Sequence, residues 1–154
     1  MFIHALNYLI NNDKNYRNAC CIYPAAPLLT ISLISNALYR LNEKNATSCF
    51  PVIKFCSNIF RALEINEQGR LGMILPKYKS NRTQDLQSAY HDAGQFYWVN
   101  IEKYLKVKSI LCNNSVPIVL PKYEVIDIDS DEDWKFAESL YSIRTKGNLS
   151  SKKK

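Results

Sequence analysis

Two carboxylates with the spacing of metal ligands occur in the most acidic segment of the chain, where Asp127 and Asp129 flank Ile128. In an extended backbone, alternate side chains point to the same side, so both carboxylates would share one face while Ile126 and Ile128 face the core. A pair of hard oxygen donors suits Mg²⁺, which binds a few carboxylates together with phosphate and water oxygens. These acids would equally suit the positive N-terminal end of the helix that follows. The spacing leaves both interpretations open.

A second group of polar side chains lies between residues 81 and 98, where Arg, Gln, His and Asp are interspersed with four aromatic residues. Such a mixture suits a site for a polyhydroxylated anion, because Arg binds carboxylates, amides bind hydroxyls and rings pack on sugar faces. The same mixture is also typical of a buried strand preceded by polar residues, in which His91 would have a structural role. Only His4 and His91 are histidines, and no catalytic triad can be argued from them, because triads are recognised by geometry.

The elements that must position these side chains begin with a strand at 19–23, whose unbroken apolar run is typical of burial on both faces. Pro24 and Pro27 end the strand, and Thr30 then caps a helix with apolar residues along one face. Strand, loop and helix form the β-α unit of a parallel α/β sheet. We expect the strand at 19–23 to be central in that sheet.

Further elements follow along the chain. The patterns predict a helix over 2–10, strands at 47–55, 93–99, 116–120 and 123–126, and a hairpin of 62–65 with 71–75. Asn100 should cap a short helix, and Ser130 and Asp133 have the spacing of a capping box for the last helix. The final residues are rich in Gly, Ser and Lys, which predicts a domain of residues 1–143 and a disordered basic tail of residues 144–154.

Composition restricts the classes of function. The formal charge of +6 on 154 residues comes mainly from five basic residues among the last eleven, without which the charge is +1. The body of the chain shows no basic stripe, so no nucleic-acid partner is expected. The five cysteines are odd in number and form no C-x-x-C pair, which favours free thiols in the reducing cytoplasm. Prolines interrupt the longest apolar stretch, at 19–38, and neither a membrane span nor a secretion signal is predicted.

Four segments, in order along the chain, are similar to successive motifs of one enzyme family. They are Cys21–Leu28 (CIYPAAPL), Arg82–Leu86 (RTQDL), Ala89–Trp98 (AYHDAGQFYW) and Ile126–Trp134 (IDIDSDEDW). On these residues the chain resembles the pseudaminic acid cytidylyltransferases, which are relatives of the CMP-sialic acid synthetases, from residue 2 to about residue 141. The segment Tyr90–Trp98 is the most specific, because the sialic acid branch resembles it only loosely.

The resemblance implies an α/β fold with a Rossmann-like nucleotidyltransferase sheet and helices on both faces. It implies an enzyme that joins CMP from CTP to a nine-carbon sugar acid of the pseudaminic or sialic acid type and releases pyrophosphate. Asp127 and Asp129 match the family's Mg²⁺-binding acids. The residues that match its sugar-acid pocket are Arg82, Gln84, Tyr90, His91, Gln95 and Tyr97. No catalytic or nucleotide-binding residue is assigned, and the projecting hairpin is expected to help form a homodimer.

The chain also departs from the family pattern. Ala25 stands in place of a usual Thr, and Cys56–Asn58 replaces an acidic, aromatic and proline sequence. The family begins with a strand and a glycine-containing loop that cradles the triphosphate, and none of the four glycines here lies in such a context. We therefore expect an N-terminally truncated, C-terminal portion of such an enzyme. The alternative is a non-catalytic remnant or subunit that folds only with a partner.

Overall fold

The computed structural model of the protein describes residues 2–12, 16–126 and 128–151, with side chains described as far as Arg144. Within these residues, the helices are α1 (Phe2–Asn11), α2 (Ile31–Glu43), α3 (Ile101–Val107) and α4 (Asp131–Ser151). The strands are β1 (Asn18–Ile22), β2 (Ser48–Lys54), β3 (Leu63–Ile65), β4 (Leu71–Met73), β5 (Tyr90–Asp92), β6 (Phe96–Asn100) and β7 (Ser115–Leu120).

Strand β2 is the centre of the main sheet. Its pairing with β7 is parallel and runs from Ser48 to Ile53, so β7 occupies one whole edge of β2. On the other edge, β6 pairs antiparallel with the start of β2 and β5 pairs antiparallel with its end. Strand β1 pairs antiparallel with β6, which gives β1, β2 and β7 one direction and β5 and β6 the other.

Two sequence predictions about this sheet were wrong. The sheet is mixed, not wholly parallel, because β5 and β6 run against their neighbours. Strand β1 is not central among the described residues, since it pairs only with β6 and forms an edge. The residues of β1 are half-buried at most and Ile22 is exposed, so the apolar run at 19–23 also overstated the burial of the strand's two faces. Such a run carries no information about neighbours in the plane of the sheet.

Helices cover both faces of the sheet, as expected from the sequence. On one face, Ala37 and Leu41 of α2 pack against side chains of β2, β6 and β7, including the fully buried Phe96. On the opposite face, Leu6 of α1 and Tyr104 of α3 pack around Val99 of β6. The α/β fold class predicted from the sequence is confirmed at this level.

The predicted helix caps are confirmed. The side chain of Thr30 accepts a hydrogen bond from the backbone N–H of Leu33, and that of Asn100 accepts one from Lys103. At the start of α4 the bonds are reciprocal: Ser130 Oγ accepts from the Asp133 N–H, and Asp133 Oδ2 accepts from the Ser130 N–H. These bonds satisfy backbone donors that have no partner within the helix.

The predicted hairpin is confirmed as β3 and β4, which form a separate two-stranded sheet. Leu63 pairs with Met73 and Ile65 pairs with Leu71, so these four side chains lie on one face of the hairpin. Leu63, Ile65 and Leu71 are all exposed. An isolated two-stranded sheet is marginally stable in water, so another surface that packs on this apolar face would stabilise the hairpin.

The C-terminal part differs from the sequence prediction in one place. Residues 123–126 form no strand, and a 3-10 turn at Lys122–Glu124 follows Pro121 instead. Helix α4 ends at Ser151, and the predicted disorder of residues 144–154 stays a prediction. The division of the chain at residue 143 stays a prediction. Within the described part of the chain, none of the helices combines the length and the hydropathy needed to cross a bilayer.

Candidate functional site

Three of the four segments that carry the sequence motifs meet at one edge of the main sheet. The parallel strands β1, β2 and β7 end at this edge, where they lead into the proline loop, residues 55–62 and the acidic segment. Because β5 runs the opposite way, its first residue, Tyr90, lies at the same edge beside Lys54. Ligands of open α/β sheets bind outside the carboxyl ends of the parallel strands. The candidate site therefore lies here.

Strand β5 divides the predicted site residues between two faces. His91 is in register with Ile53, while Tyr90 and Asp92 are in register with Lys54 and Val52. Since side chains alternate along a strand, His91 lies on the α2 side of the sheet and Tyr90 lies on the other. Tyr90 lines only the cavity on that other side, whereas His91 lines the cavities on both sides of the sheet.

On the α2 side, a cleft of about 640 Å³ opens beside His91. We call it the cationic cleft, because Lys54, Arg61 and Lys122 all line it. The ring of Phe55 lies against the His91 ring, with 4.8 Å between the centroids. The Nδ1 atom of His91 is 2.9 Å from the carbonyl oxygen of Asp92, which can only accept a hydrogen bond. Nδ1 therefore carries the proton, and Nε2 is an acceptor in the neutral ring.

Among the described residues, the only acid that lines the cationic cleft is Asp92, and its carboxylate already has internal partners. Asp92 Oδ1 accepts a hydrogen bond from the Gly94 N–H at 2.9 Å, and Oδ2 accepts one from the Tyr97 hydroxyl at 2.8 Å. Gly94 has a φ of +62°, a left-handed conformation that glycine adopts without strain. The turn between β5 and β6 therefore engages Asp92, which leaves the cleft with a surplus of positive charge.

On the opposite side lies an apolar groove, also of about 640 Å³. Its lining includes Tyr23, Phe50, Tyr90, Tyr97, Ile110 and Val119. The Tyr97 ring packs edge-on against Tyr23, with centroids 5.3 Å apart. Burial, followed by the hydrogen bond to the Asp92 carboxylate, raises the pKa of the Tyr97 hydroxyl well above its ordinary value. Tyr97 is therefore a neutral hydrogen-bond donor whose ring forms one wall of the groove.

Gln95 lies inside the protein, with only 1% of its surface exposed. Its backbone carbonyl accepts a hydrogen bond from the Tyr23 N–H at 2.9 Å, and its Nε2 lies 3.5 Å from the carbonyl oxygen of Glu124. Gln95 therefore connects the proline loop and the acidic segment to the sheet. Its Oε1 is buried and has no hydrogen-bond partner among the described residues. Its role as a sugar ligand stays a prediction.

Arg82 and Gln84 lie apart from the other predicted ligands. Arg82 precedes the 3-10 turn Thr83–Asp85, which contains Gln84, and both side chains are exposed. Neither residue lines the cationic cleft or the apolar groove. Their assignment to a sugar-acid pocket rests on the sequence motif alone.

The acidic segment is only partly described. Asp127 lies outside the described residues, whereas Ile126 and Ile128 pack into a small core cluster with Leu28 and Ala137, as the alternation predicts. Asp129 is exposed on the chain between them and α4. The described residues contain no cluster of three or more His, Cys, Asp or Glu side chains that could hold a metal. Asp129 fits the donor chemistry of Mg²⁺, which takes one or two carboxylates together with phosphate oxygens.

Asp133 has the structural role predicted for it at the start of α4. The Ser130 hydroxyl, followed by the backbone N–H groups of Asp129 and Ser130, holds the pKa of the Asp133 carboxyl below its ordinary value. These bonds stabilise the ionised carboxylate, which also lies at the positive end of the helix. Asp133 is therefore a helix cap rather than a metal ligand.

Sequence reasoning missed the three cations of the cleft. Lys54 is the last residue of β2, and Lys122 comes two residues after the end of β7. Both residues lie at the ends of strands that run in the same direction, so their positions in the sequence could have indicated that the two side chains meet at one edge of the sheet. Arg61 carried no such signal, because it lies in a 3-10 turn whose position depends on the fold.

No family model matches the chain, but comparison with known proteins finds enzymes to which it is similar. Two pseudaminic acid cytidylyltransferases from two strains of Campylobacter jejuni are 34% identical to the chain over 140 residues, which is 91% of this chain and 60% of each relative. A Helicobacter pylori protein named pseudaminic acid cytidylyltransferase and UDP-2,4-diacetamido-2,4,6-trideoxy-beta-L-altropyranose hydrolase is 33% identical over 111 residues, or 71% of this chain and 21% of that protein. The chain is thus a homologue of the pseudaminic acid cytidylyltransferases and spans about 60% of the length of the Campylobacter relatives.

Proposed function

We propose that the chain forms the sugar-acid part of a cytidylyltransferase that joins CMP from CTP to a nonulosonic acid of the pseudaminic or sialic acid type. In this reaction a sugar hydroxyl oxygen bonds to the α-phosphorus, the bond to the bridging oxygen breaks, and pyrophosphate leaves. The observation that carries the proposal is the 34% identity to the Campylobacter enzymes over 91% of the chain. The meeting of three of the four motif-bearing segments at one edge of the sheet supports it.

The residues suit a sugar acid as substrate. The cationic cleft offers positive charge for a carboxylate, and the apolar groove offers the rings of Tyr90 and Tyr97 for apolar sugar faces. His91 and Asp92 line both cavities and so join them. A ligand with one acidic group and one apolar face could therefore contact both sides of β5.

We also propose that Asp127 and Asp129 hold Mg²⁺ in the complete site. When bound there, Mg²⁺ would neutralise charge on the nucleotide phosphates. Lys122 and Asp129 both lie in the segment between β7 and α4. Nucleotidyl transfer depends mainly on positioning and charge neutralisation, which these groups can supply without a covalent nucleophile.

A homodimer is proposed from the hairpin of β3 and β4. One face of this hairpin consists of Leu63, Ile65, Leu71 and Met73, and the first three of these side chains are exposed in the described structure. Exposed apolar faces of this kind mark interaction sites. A second copy would bury this face. The cytoplasm is the proposed location, because the odd cysteine count favours reduced thiols.

The second candidate function is a non-catalytic subunit or remnant that requires a partner. It is favoured by one observation, the open edge of β1 among the described residues. This strand, Asn18–Ile22, contains no charged residue and no proline, which are the devices that normally protect an edge. A strand from another polypeptide could pair with it.

Titration calorimetry on the chain alone tests the leading proposal. We expect weak but measurable binding of pseudaminic or N-acetylneuraminic acid and little binding of CTP, because the sugar-acid motifs are present and no glycine-containing phosphate loop is recognised in the sequence. A neutral hexose serves as the control ligand. Tight binding of CTP without binding of either sugar acid would contradict the proposal.

A further inference from the structure

The cationic cleft has the charge of an anion-binding site. Lys54, Arg61 and Lys122 reach it from three separate segments: the end of β2, a 3-10 turn, and the segment after β7. In the described part of the chain, the only ion pairs join Lys44 to Glu43 and Lys106 to Glu102. The three cations of the cleft therefore form no ion pair with any acid that the structure describes.

Two of these cations are held by uncharged partners. An Arg61 guanidinium nitrogen donates to the carbonyl oxygen of Asn81 at 2.8 Å, and Lys122 Nζ lies 3.5 Å from Cys56 Sγ. These contacts position the two side chains without cancelling their charge. A guanidinium has five N–H donors and an ammonium has three, so most donors stay available for a ligand.

The walls of the cleft strengthen the attraction of an anion. Ile53, Ala93 and Val125 are buried aliphatic residues that line it, and the paired rings of Phe55 and His91 lie beside them. Low-dielectric walls focus the field of nearby charges into a cleft. The volume of about 640 Å³ is within the range of small-molecule sites.

We propose that the cationic cleft is an oxyanion-binding subsite in which Lys54 and Lys122 are the main ligands and Arg61 is the third. The ligand group is a carboxylate or a phosphate, since both present the oxygens that these donors bind. Neither the sequence motifs nor the relatives' names assign this role to any of the three residues. The subsite does not depend on cytidylyl transfer, because it is argued from charge and shape alone.

Calorimetry on the full chain with two probe anions tests the subsite. Sodium pyrophosphate represents phosphate, N-acetylneuraminate represents a sugar carboxylate, and N-acetylglucosamine is the neutral control. The double variant Lys54→Gln with Lys122→Gln should weaken binding of the recognised anion by about tenfold or more, given the strength of charged hydrogen bonds. The double variant Lys44→Gln with Lys106→Gln removes the same charge outside the cleft and should leave binding unchanged.

The pattern of outcomes identifies the ligand and can overturn the subsite. Loss of pyrophosphate binding alone assigns a phosphate, and loss of N-acetylneuraminate binding alone assigns a carboxylate. The subsite is wrong if neither anion binds better than the neutral sugar, or if both double variants bind equally. Binding of both anions that survives in the Lys54 and Lys122 variant would overturn the subsite and leave the proposed function standing.

Cys56 provides a second readout that does not require tight binding. Its thiol is exposed in the cleft beside Lys122, whereas Cys112 does not line the cleft. The ratio of alkylation rates with iodoacetate, an anion, and iodoacetamide, which is neutral, cancels the intrinsic reactivity of each thiol. We expect this ratio to be severalfold higher at Cys56 than at Cys112, and to fall at Cys56 in the Lys54 and Lys122 variant. Equal ratios at both cysteines would contradict a cationic subsite.

Discussion

Replacing Asp127 or Asp129 with Asn is expected to slow cytidylyl transfer by about 10²–10³-fold, or roughly 3–4 kcal/mol of transition-state stabilisation. Each substitution keeps the size of the side chain and removes a charged oxygen donor. The fold should survive, since Asp129 is exposed, and the affinity for Mg²⁺ should fall. The measurement is pyrophosphate release by a fusion in which this chain replaces the matched 140 residues of a Campylobacter relative.

Asp131→Asn in the same fusion is the matched control. Asp131 lies in the first turn of α4, where an acid stabilises the helix N-terminus and performs no chemistry. We therefore expect near-normal pyrophosphate release and at most a small loss of stability. If Asp131→Asn abolished release while Asp127→Asn and Asp129→Asn left it intact, the metal assignment would be wrong.

Phe96→Ala is expected to lower the free energy of unfolding by about 3–5 kcal/mol, because it leaves a cavity in the main core. Phe96 is completely buried, with 0% of its surface exposed, in the cluster that joins α2 to the sheet. Domains of this size are commonly stable by only about 5–15 kcal/mol, so the variant should be close to unfolding. Urea denaturation followed by circular dichroism measures the change.

The control for this stability prediction is Phe136→Ala on α4, where the ring is 58% exposed. It should change the free energy of unfolding by no more than about 0.5 kcal/mol. Equal losses in the two variants would mean that Phe96 is not in the core of the folded chain. If the wild-type chain shows no folded baseline in the urea experiment, this result favours the alternative in which the chain folds only with a partner.

Local features of the fold were predictable because their hydrogen bonds join residues that are close in sequence. The caps at Thr30, at Asn100 and at the Ser130–Asp133 pair each use a hydrogen bond between residues three apart, so the spacing in the sequence was sufficient to predict them. The hairpin of β3 and β4 was predictable for the same reason. Its turn contains Gly69, whose φ of +72° is easily adopted by glycine.

Features that depend on the arrangement of distant segments could not be predicted in this way. Strands β5 and β6 pair with the same edge of β2, β5 at its end and β6 at its start, and the turn around Gly94 joins them. No pattern of apolar residues reveals this arrangement. The edge position of β1 depends on which strands lie beside it. The cationic cleft also needs Arg61, and only the finished fold places its 3-10 turn beside Lys54 and Lys122.

The candidate site was predicted in its chemistry and only partly in its geometry. The motif residues His91, Tyr90 and Tyr97 lie at one edge of the sheet, where Tyr90 and Tyr97 line only the apolar groove and His91 lines both cavities. Alternation of side chains along a strand could have predicted that His91 and Tyr90 separate. The burial of Gln95 could not have been predicted, because polar residues at a turn between strands are usually exposed.

The most direct test of the account is whether the fusion described above makes a CMP-sugar. The fusion is incubated with CTP, Mg²⁺ and pseudaminic acid, and the products are measured by mass spectrometry. The account predicts the mass of the CMP-linked sugar acid together with stoichiometric pyrophosphate, both absent when the sugar acid is omitted. A folded fusion that binds the sugar acid and CTP yet forms no CMP-linked product would contradict the proposed cytidylyltransferase function.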